Sequence, residues 1–469
     1  MEEKFGAYIR EIMDAHCMVG AAVGVVKDGK VLLEAGYGVR ELHSQKPVTE
    51  HSLFHMASIS KPFTATAVMQ LVEHGKLALE DDIRQHLPEL RVENPYGGAI
   101  TVRQMLSHTS GFPDVTDYEW YRAEGDDDAL EMYVRELDVC LLFKPGERFR
   151  YSNTAYEVLG HLVHRVSGQL FEDYQKQHVL NPLGMDASTF FAGQVPDEFR
   201  NSPHTFDIDL HVSDAYPYNR KHAPSSTLHS NAHEMNRWAL AHLAYVAGGG
   251  SGILSPEQHD TMWQPVISAD QFGRPNTEVA LGWFITRHRG QTIIYHNGHD
   301  TGFMSSLLLA PHAQMGVSLM TNTEPEQIQK IALGILDIAA GLEPEWVKPH
   351  ILRKLEPAYR EHGLPALQER LAGLTQAERE RYYFGLDDYL YAAYALLDSQ
   401  HATSAIDLVS FALEQQPDVP GAEKAYEVLA RAHYQKGDVA QAAEMAKQSL
   451  LLKPDNPFLR EELNKALSD

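Results

Sequence analysis

A chain of 469 residues with 43% hydrophobic and 22% charged side chains exceeds what one core usually serves, which predicts two domains and excludes a fibrous or largely disordered protein. Forty basic residues against sixty-four acidic ones give a net charge of -24, a mean field that repels phosphate backbones and anionic lipid, so neither nucleic acid nor a membrane is an expected partner. Cys17 and Cys140 form no CxxC pair, and Met1 to Gly6 lacks the basic start and apolar run of a secretory signal, so the expected location is cytoplasmic.

In chain order, Phe5, Ile9, Ile12 and Met13 fall on one helical face, predicting an amphipathic helix that ends before Gly20. The β-rich runs Ala21 to Val26 and Lys30 to Tyr37 flank Lys27-Asp28-Gly29, where Asp-Gly suits a tight hairpin. Phe63 to Val72 is apolar almost all round and stops near Gly75, which predicts a helix buried inside the fold. Residues 76–275 read as mainly helical. Strand character returns at Leu281 to Thr286, Thr292 to Tyr295, Met304 to Leu309 and Val317 to Met320, before a helix from Gln327 to Ala340. Strands at both ends with helices between predict an α+β domain whose antiparallel sheet is assembled from its two termini.

Beyond 345 the chain turns helical and Ala-rich. Tyr389 and Tyr426, Ala405 and Ala442, and Pro417 and Pro454 are each separated by 37 positions. The stretch from Tyr426-Glu427-Val428-Leu429 through Gly437-Asp438 and Ala442 to Pro454-Asp455-Asn456 resembles the tetratricopeptide repeat, whose usual period is about 34 residues. Pro420-Gly421 is expected to absorb the surplus in the connecting loop. The expected division is a catalytic domain at 1–345, a linker with a degenerate repeat at 346–384, and tetratricopeptide-like repeats at 385–469. Tyr389, Tyr391 and Tyr394 read as packing residues rather than a peptide-binding face. The repeats leave room for a protein partner or for self-association.

The chemistry concentrates at three places. Ser58-Ile59-Ser60-Lys61 lies where a loop enters the buried helix, and Pro62 fits a first helical turn. Residues three apart share a helical face, so the Lys61 amine can reach the Ser58 hydroxyl, a poor nucleophile without such help. Tyr151-Ser152-Asn153 follows the turn Pro145-Gly146-Glu147 and precedes a helix. Its phenol can take the serine's proton or donate one to a leaving group, and Asn153 has both a donor and an acceptor for a substrate amide. A bland alternative for the same stretch is a turn with a helix cap. His296-Asn297-Gly298 follows the strand Thr292 to Tyr295, where Gly298 lets a substrate backbone approach the sheet.

Ser-x-x-Lys, Tyr-x-Asn and a basic residue-x-Gly in that order resemble the signature of serine β-lactamases, penicillin-binding DD-peptidases and their esterase relatives. Leu106-Ser107-His108-Thr109-Ser110-Gly111, Leu281-Gly282-Trp283 and Thr301-Gly302-Phe303 extend the resemblance over residues 1 to about 345. The resemblance implies a β-lactamase/transpeptidase-like fold, with an antiparallel sheet, flanking helices and an all-helical lobe. It implies Ser58 as nucleophile, Lys61 and Tyr151 as proton-transfer partners, and Asn153, His296, Asn297 and Gly298 as substrate contacts. The backbone amides of Ser58 and His299 would form the oxyanion hole.

One departure redirects the expected substrate. The antibiotic-resistance enzymes of this kind typically carry Lys-Thr-Gly on the late strand, where this chain has His296-Asn297-Gly298. A neutral imidazole is a weaker carboxylate anchor than an ammonium. The expected function is therefore hydrolysis of an ester or peptide amide through a Ser58 acyl-enzyme, on a small ester, amide or short peptide. The alternatives are β-lactamase or D-Ala-D-Ala carboxypeptidase activity, or a noncatalytic scaffold presenting the repeats. No cofactor and no metal are expected. His296 with His299 and His161 with His164 lie close in sequence without a metal-binding motif, Gly248-Gly249-Gly250 lacks the ending of a phosphate loop, and Ser107 forms no Gly-x-Ser-x-Gly.

Overall fold

The structure, a computed structural model, describes residues 1–120, 126–206, 210–250, 252–398, 400–416 and 419–454. Pro417, Asp455 and Asn456, part of the repeat pattern, lie outside the described residues. Contacts divide the chain into two compact units, one of 1–14, 18–204 and 212–345 and the other of 15–17, 205–211 and 346–469.

The first unit is built on an eight-stranded sheet. Its strands are β1 (Gly20–Lys27), β2 (Lys30–Gly38), β3 (Ile267–Ser268), β4 (Glu278–Val279), β5 (Phe284–His288), β6 (Gln291–Asp300), β7 (Phe303–Ala310) and β8 (Met315–Thr321). The spatial order is β2-β1-β8-β7-β6-β5-β4-β3, and pairing is antiparallel throughout. The first hairpin therefore joins the last strand, with Val23 opposite Leu319, as sequence patterning predicts. Asp28 has a φ of 49°, the positive angle that a two-residue hairpin turn demands.

Two differences from the sequence reading matter for the site. The strand expected at Thr292 to Tyr295 runs on to Asp300, carrying His296, Asn297 and Gly298 within its ladder against β7. The strand expected from Leu281 begins instead at Phe284, because Gly282 turns at a φ of 81°. β3 and β4, two residues each, are too short to show a period of two.

Four helices of this unit are α1 (Glu2–Ala15), α2 (Ser60–Glu73), α3 (Asn153–Ser167) and α4 (Ala232–Val246), and α5 (Ile328–Ala339) follows the sheet. α2 is buried from Ser60 through Leu71, which is why it carries apolar residues on every side. Phe63 stacks on Trp238 of α4 with ring centroids 3.7 Å apart. α2 thus runs through the main core, packed against α3 and the short helix Ala223–Ser226.

In the second unit, α6 (Asp387–Asp398), α7 (Ala402–Gln415), α8 (Ala422–Gln435) and α9 (Val439–Leu452) follow one another with short turns. Ala405, Ala412, Ala425 and Ala432 are buried where successive helices pack; a methyl side chain permits close approach of two backbones. Tyr389 packs at 4% exposure against His350 and Phe411, whereas Tyr391 is 53% exposed. Among the described residues, no helix is long and apolar enough to cross a membrane.

Candidate active site

Ser58 sits in the 3-10 turn Ala57–Ile59 that leads into α2. Ala57 is held at a φ of 48°, a left-handed conformation that costs a residue with a Cβ. The residue before the bend is held through both its backbone groups: the Met56 amide donates to Leu228 O at 2.7 Å and Ser305 Oγ donates to Met56 O at 2.7 Å. Nothing in the local sequence advertises this bend.

One turn on, Lys61 is fully buried. Its Nζ lies 3.0 Å from Ser58 Oγ, 2.6 Å from Asn153 Oδ1 and 2.9 Å from Ser225 O. Both carbonyl oxygens can only accept, so they take two N–H bonds. The third direction faces Ser58: a neutral amine would aim its lone pair at the hydroxyl proton, and an ammonium would donate to the oxygen.

Each of those partners is fixed in turn. Asn153 Nδ2 and the Asn153 backbone amide both donate to Asp114 Oδ1, at 3.0 and 2.7 Å. Ser152 caps α3, its Oγ accepting from the Ala155 amide at 3.1 Å, so the stretch includes the helix cap that the sequence also offered. Ser225 Oγ donates to Glu157 Oε1 at 2.5 Å, and His222 Nδ1 lies 3.1 Å from the same oxygen. Asp114, Ser225 and Glu157 were absent from the sequence-derived set, because their role depends on contacts 39 to 164 positions apart.

Tyr151 lies on the other side of Lys61, with its ring centroid 4.9 Å from Nζ. His108 holds it there. The imidazole stacks on the phenol ring at 4.3 Å, His108 O accepts from the Arg150 amide at 2.9 Å, and His108 Nδ1 accepts from the Ser152 amide at 3.1 Å. The residues on both sides of Tyr151 are therefore tied to one histidine, itself at a φ of 55°. The signal for it was the Leu106 to Gly111 stretch, which extends the family resemblance. Burial above all, then the charges of Lys61, His296 and Arg274, hold the His108 pKa well below the ordinary imidazole range.

From the sheet, a Cβ at Gly298 would fall 2.2 Å from Met56 O and 3.1 Å from Ala57 Cβ. β6 can pass the Ser58 turn this closely only with glycine there. His296, two residues earlier, lies on the same face, its ring 6.4 Å from Tyr151 and 5.2 Å from Phe284. Its Nδ1 donates to Asn297 O at 2.7 Å, and its buried Nε2 has no partner among the described residues. Burial first, then Lys61 and Arg274, push its pKa well down. The ring is thus a neutral acceptor.

Asn297 does not join this group. It alternates to the opposite face of β6, where Ser306 Oγ donates to its Oδ1 at 2.8 Å and its Nδ2 reaches Gln329 Oε1 at 3.2 Å. His299 follows Gly298 on β6, its side chain 60% exposed and 3.6 Å from Glu324. Asp300, next along, pairs with buried His55 at 2.8 Å, linking the end of β6 to the chain three residues before Ser58. Among the described residues, no group of three or more His, Cys, Asp or Glu side chains is placed to hold a metal ion.

The family model described as Beta-lactamase matches residues 5–340. Protein flp of Staphylococcus aureus (strain MW2) is 27% identical over 318 residues, covering 66% of this chain. The chain spans 61% of the length of that relative. Among solved structures, the octameric penicillin-binding protein homologue from Pyrococcus abyssi superposes with a TM-score of 0.65 at 26% identity, over 77% of this chain and 81% of that one. D-alanine carboxypeptidase AmpC from Burkholderia cenocepacia shares the fold, with a TM-score of 0.58 at 21% identity over 72% of this chain and 98% of its own.

Proposed function

The chain belongs to the β-lactamase family, and from that premise we propose that it is a serine hydrolase cleaving an ester or peptide amide through an acyl-enzyme on Ser58. The observation that carries this reading is the 3.0 Å approach of Lys61 Nζ to Ser58 Oγ, with the other two directions of the amine already committed to Asn153 and Ser225.

In the first step Ser58 Oγ attacks the carbonyl carbon and its proton passes to the Lys61 amine. The carbonyl oxygen, now an anion, is held by the backbone amides of Ser58 and His299. The carbon to leaving-group bond then breaks, and Tyr151 hands the departing alkoxide or amine a proton replenished from Lys61. In the second step water attacks the acyl carbon, gives its proton back through the same groups, and releases the acid with Ser58 restored. His296 and Gly298 line the sheet side, and Asn153 orients the substrate amide through its side chain.

The neutral, acceptor-type His296 supports esters and peptide amides over penicillins, whose carboxylate gains little from an imidazole without charge. The buried alanines between α6 and α9 support a tetratricopeptide-like reading of 385–469, serving a protein partner or a second copy of the chain.

A fluorophosphonate probe tests the nucleophile. Wild type takes one covalent label and Ser58→Ala takes none; a label that persists in the variant moves the nucleophile elsewhere. The substrate class is tested by turning over p-nitrophenyl esters, D-amino acid amides and benzylpenicillin with one preparation. Fast penicillin turnover with inert esters would reverse the assignment.

A further inference from the structure

The short helix Ala223–Ser226 is clamped between α2 and α3. On α3, Asn153, Glu157 and Gly160 are spaced four and three positions apart, so they share one helical face. Asn153 Oδ1 accepts from Lys61 Nζ at 2.6 Å, and Glu157 Oε1 accepts from Ser225 Oγ at 2.5 Å. Gly160 leaves room for Pro224, whose Cγ would lie 2.0 Å from a Cβ there. From the other side α2 presents Lys61 and Thr64, one turn apart, to two successive carbonyls. Lys61 Nζ donates to Ser225 O at 2.9 Å and Thr64 Oγ1 donates to Pro224 O at 2.7 Å. A helix of four residues leaves most of its carbonyls without partners of its own, which is why these two can accept. Both oxygens that receive the Lys61 amine therefore hang from one face of α3: Asn153 supplies the first directly, and Glu157 secures the second through the Ser225 hydroxyl.

Glu157, His222 and Ser225 are fully buried. His222 Nδ1 lies 3.1 Å from the oxygen that already takes the Ser225 hydroxyl, while Glu157 Oε2 and His222 Nε2 have no partner among the described residues. The imidazole is enclosed by the rings of Tyr118 at 4.8 Å, Tyr133 at 5.2 Å and Trp120 at 5.9 Å. Stability alone does not call for this arrangement, because apolar side chains of similar volume often match or better a buried carboxylate and its partner. Nor is it a second Ser-His-Glu relay, because the Ser225 hydroxyl donates to the carboxylate rather than to the imidazole. What an apolar side chain could not do is hold Ser225. The carbonyl and the hydroxyl of Ser225 are separate groups, so the link from Glu157 to Lys61 fixes position and carries no proton.

We propose that Glu157 is a positioning residue for Lys61: by holding the Ser225 hydroxyl it fixes the carbonyl which, with Asn153, leaves the amine one direction, toward Ser58. The inference rests on the Ser58 acyl-enzyme reading. Without the anchor, Ser225 O can turn, the amine is no longer aimed at the Ser58 hydroxyl, and acylation slows while substrate contacts stay as they were.

Fluorophosphonate labelling of the full-length protein tests this, since its maximal rate reads the reactivity of Ser58 and its half-saturating concentration reads binding. S225A removes the hydroxyl and leaves the carbonyl that accepts from Lys61. Its maximal rate should fall about 10-fold with little change in half-saturation, as a misplaced base costs rate rather than affinity. E157M, which cannot accept, should lose about 10-fold or more, whereas E157Q, which still accepts from Ser225, should stay within about three-fold of wild type. S225A/E157M should be no slower than E157M alone, because the two side chains act along one line. The proposal is overturned if S225A stays within about two-fold of wild type, if E157Q is as slow as E157M, if the two losses multiply, or if only half-saturation changes. S225A adds no bulk and decides the matter by itself should E157M not fold. A wild-type protein that takes no label would instead overturn the Ser58 reading, and this inference with it.

Discussion

Around Ser58 the buried side chains include Lys61, His108, Glu157, His222 and His296, whereas in α6–α9 every buried side chain among the described residues is apolar except Ser449. The cleft keeps charged and polar groups out of water at a cost that partners offset, as Asn153 and Ser225 do for Lys61, while His296 Nε2 is left without a partner among the described residues. The helices avoid that cost and pack alanine and leucine from neighbouring turns. The contrast separates a region shaped to hold reactive groups in one geometry from a region shaped only to pack. It also sorts substitutions: those in the cleft should cost activity, and those in the helices should cost stability alone.

The sharpest way to break the contrast is Lys61→Ala. Loss of the amine should lower kcat by about 10³-fold, in the range of positioned acid and base groups, with a much smaller change in KM. A change confined to KM, read from steady-state kinetics, would make Lys61 a binding residue. His108→Ala should follow at about 10- to 100-fold in kcat, since it frees the chain on both sides of Tyr151. His108→Asn should recover part of the loss, because asparagine tolerates positive φ and can present an oxygen to the Ser152 amide. Equal kcat for the two variants would show that this hydrogen bond does not position the phenol.

Acid should sharpen the comparison in stability. His108, His229, His242 and His296 are held neutral by burial, all well below the ordinary imidazole range. In the unfolded chain they protonate near pH 6.5, so below that pH the unfolded state binds more protons and stability falls as pH falls. The contribution is present above about pH 6.5 and is lost on acidification. Lowering pH from 8 to 5.5 should cost on the order of 5 °C in melting temperature. Hydrogen exchange should place the loosening in 20–321 and not in α6–α9, which bury no histidine among the described residues. The smallest effect on catalysis belongs to Ala425→Leu. Overpacking that buried site should destabilise α7 to α9 by about 1–3 kcal/mol, while kcat stays within about two-fold; a larger fall in kcat would tie the helices to the chemistry.

Much of the fold was legible because its signals are local. The apolar run of α2, the Asp28-Gly29 hairpin and the apolar late strands each declare themselves within a dozen residues, whereas the order in which the strands pair is set by the packed sheet. Ser58 and Lys61 were legible together for the same reason, being one helical turn apart. His108 was visible only as part of a motif, without its grip on Tyr151. Glu157 was not visible as a site residue at all: a single glutamate in a helix becomes notable only when Ser225 and His222 are seen against it.

By itself, then, the amino-acid order determined the family resemblance, the sheet closed by both ends of the first unit, the helical character of the second, and the residue types offered for acyl transfer. Tertiary structure alone decided that Asn297 faces away from the cleft, that Asn153 and Ser225 occupy the Lys61 amine, and that burial beside Lys61 and Arg274 holds the His296 pKa well down. The physical reason is range. Hydrophobic periodicity and turn chemistry act over a few residues and can be read along a string, whereas desolvation and hydrogen-bond partnership are set by groups that meet only when distant segments pack.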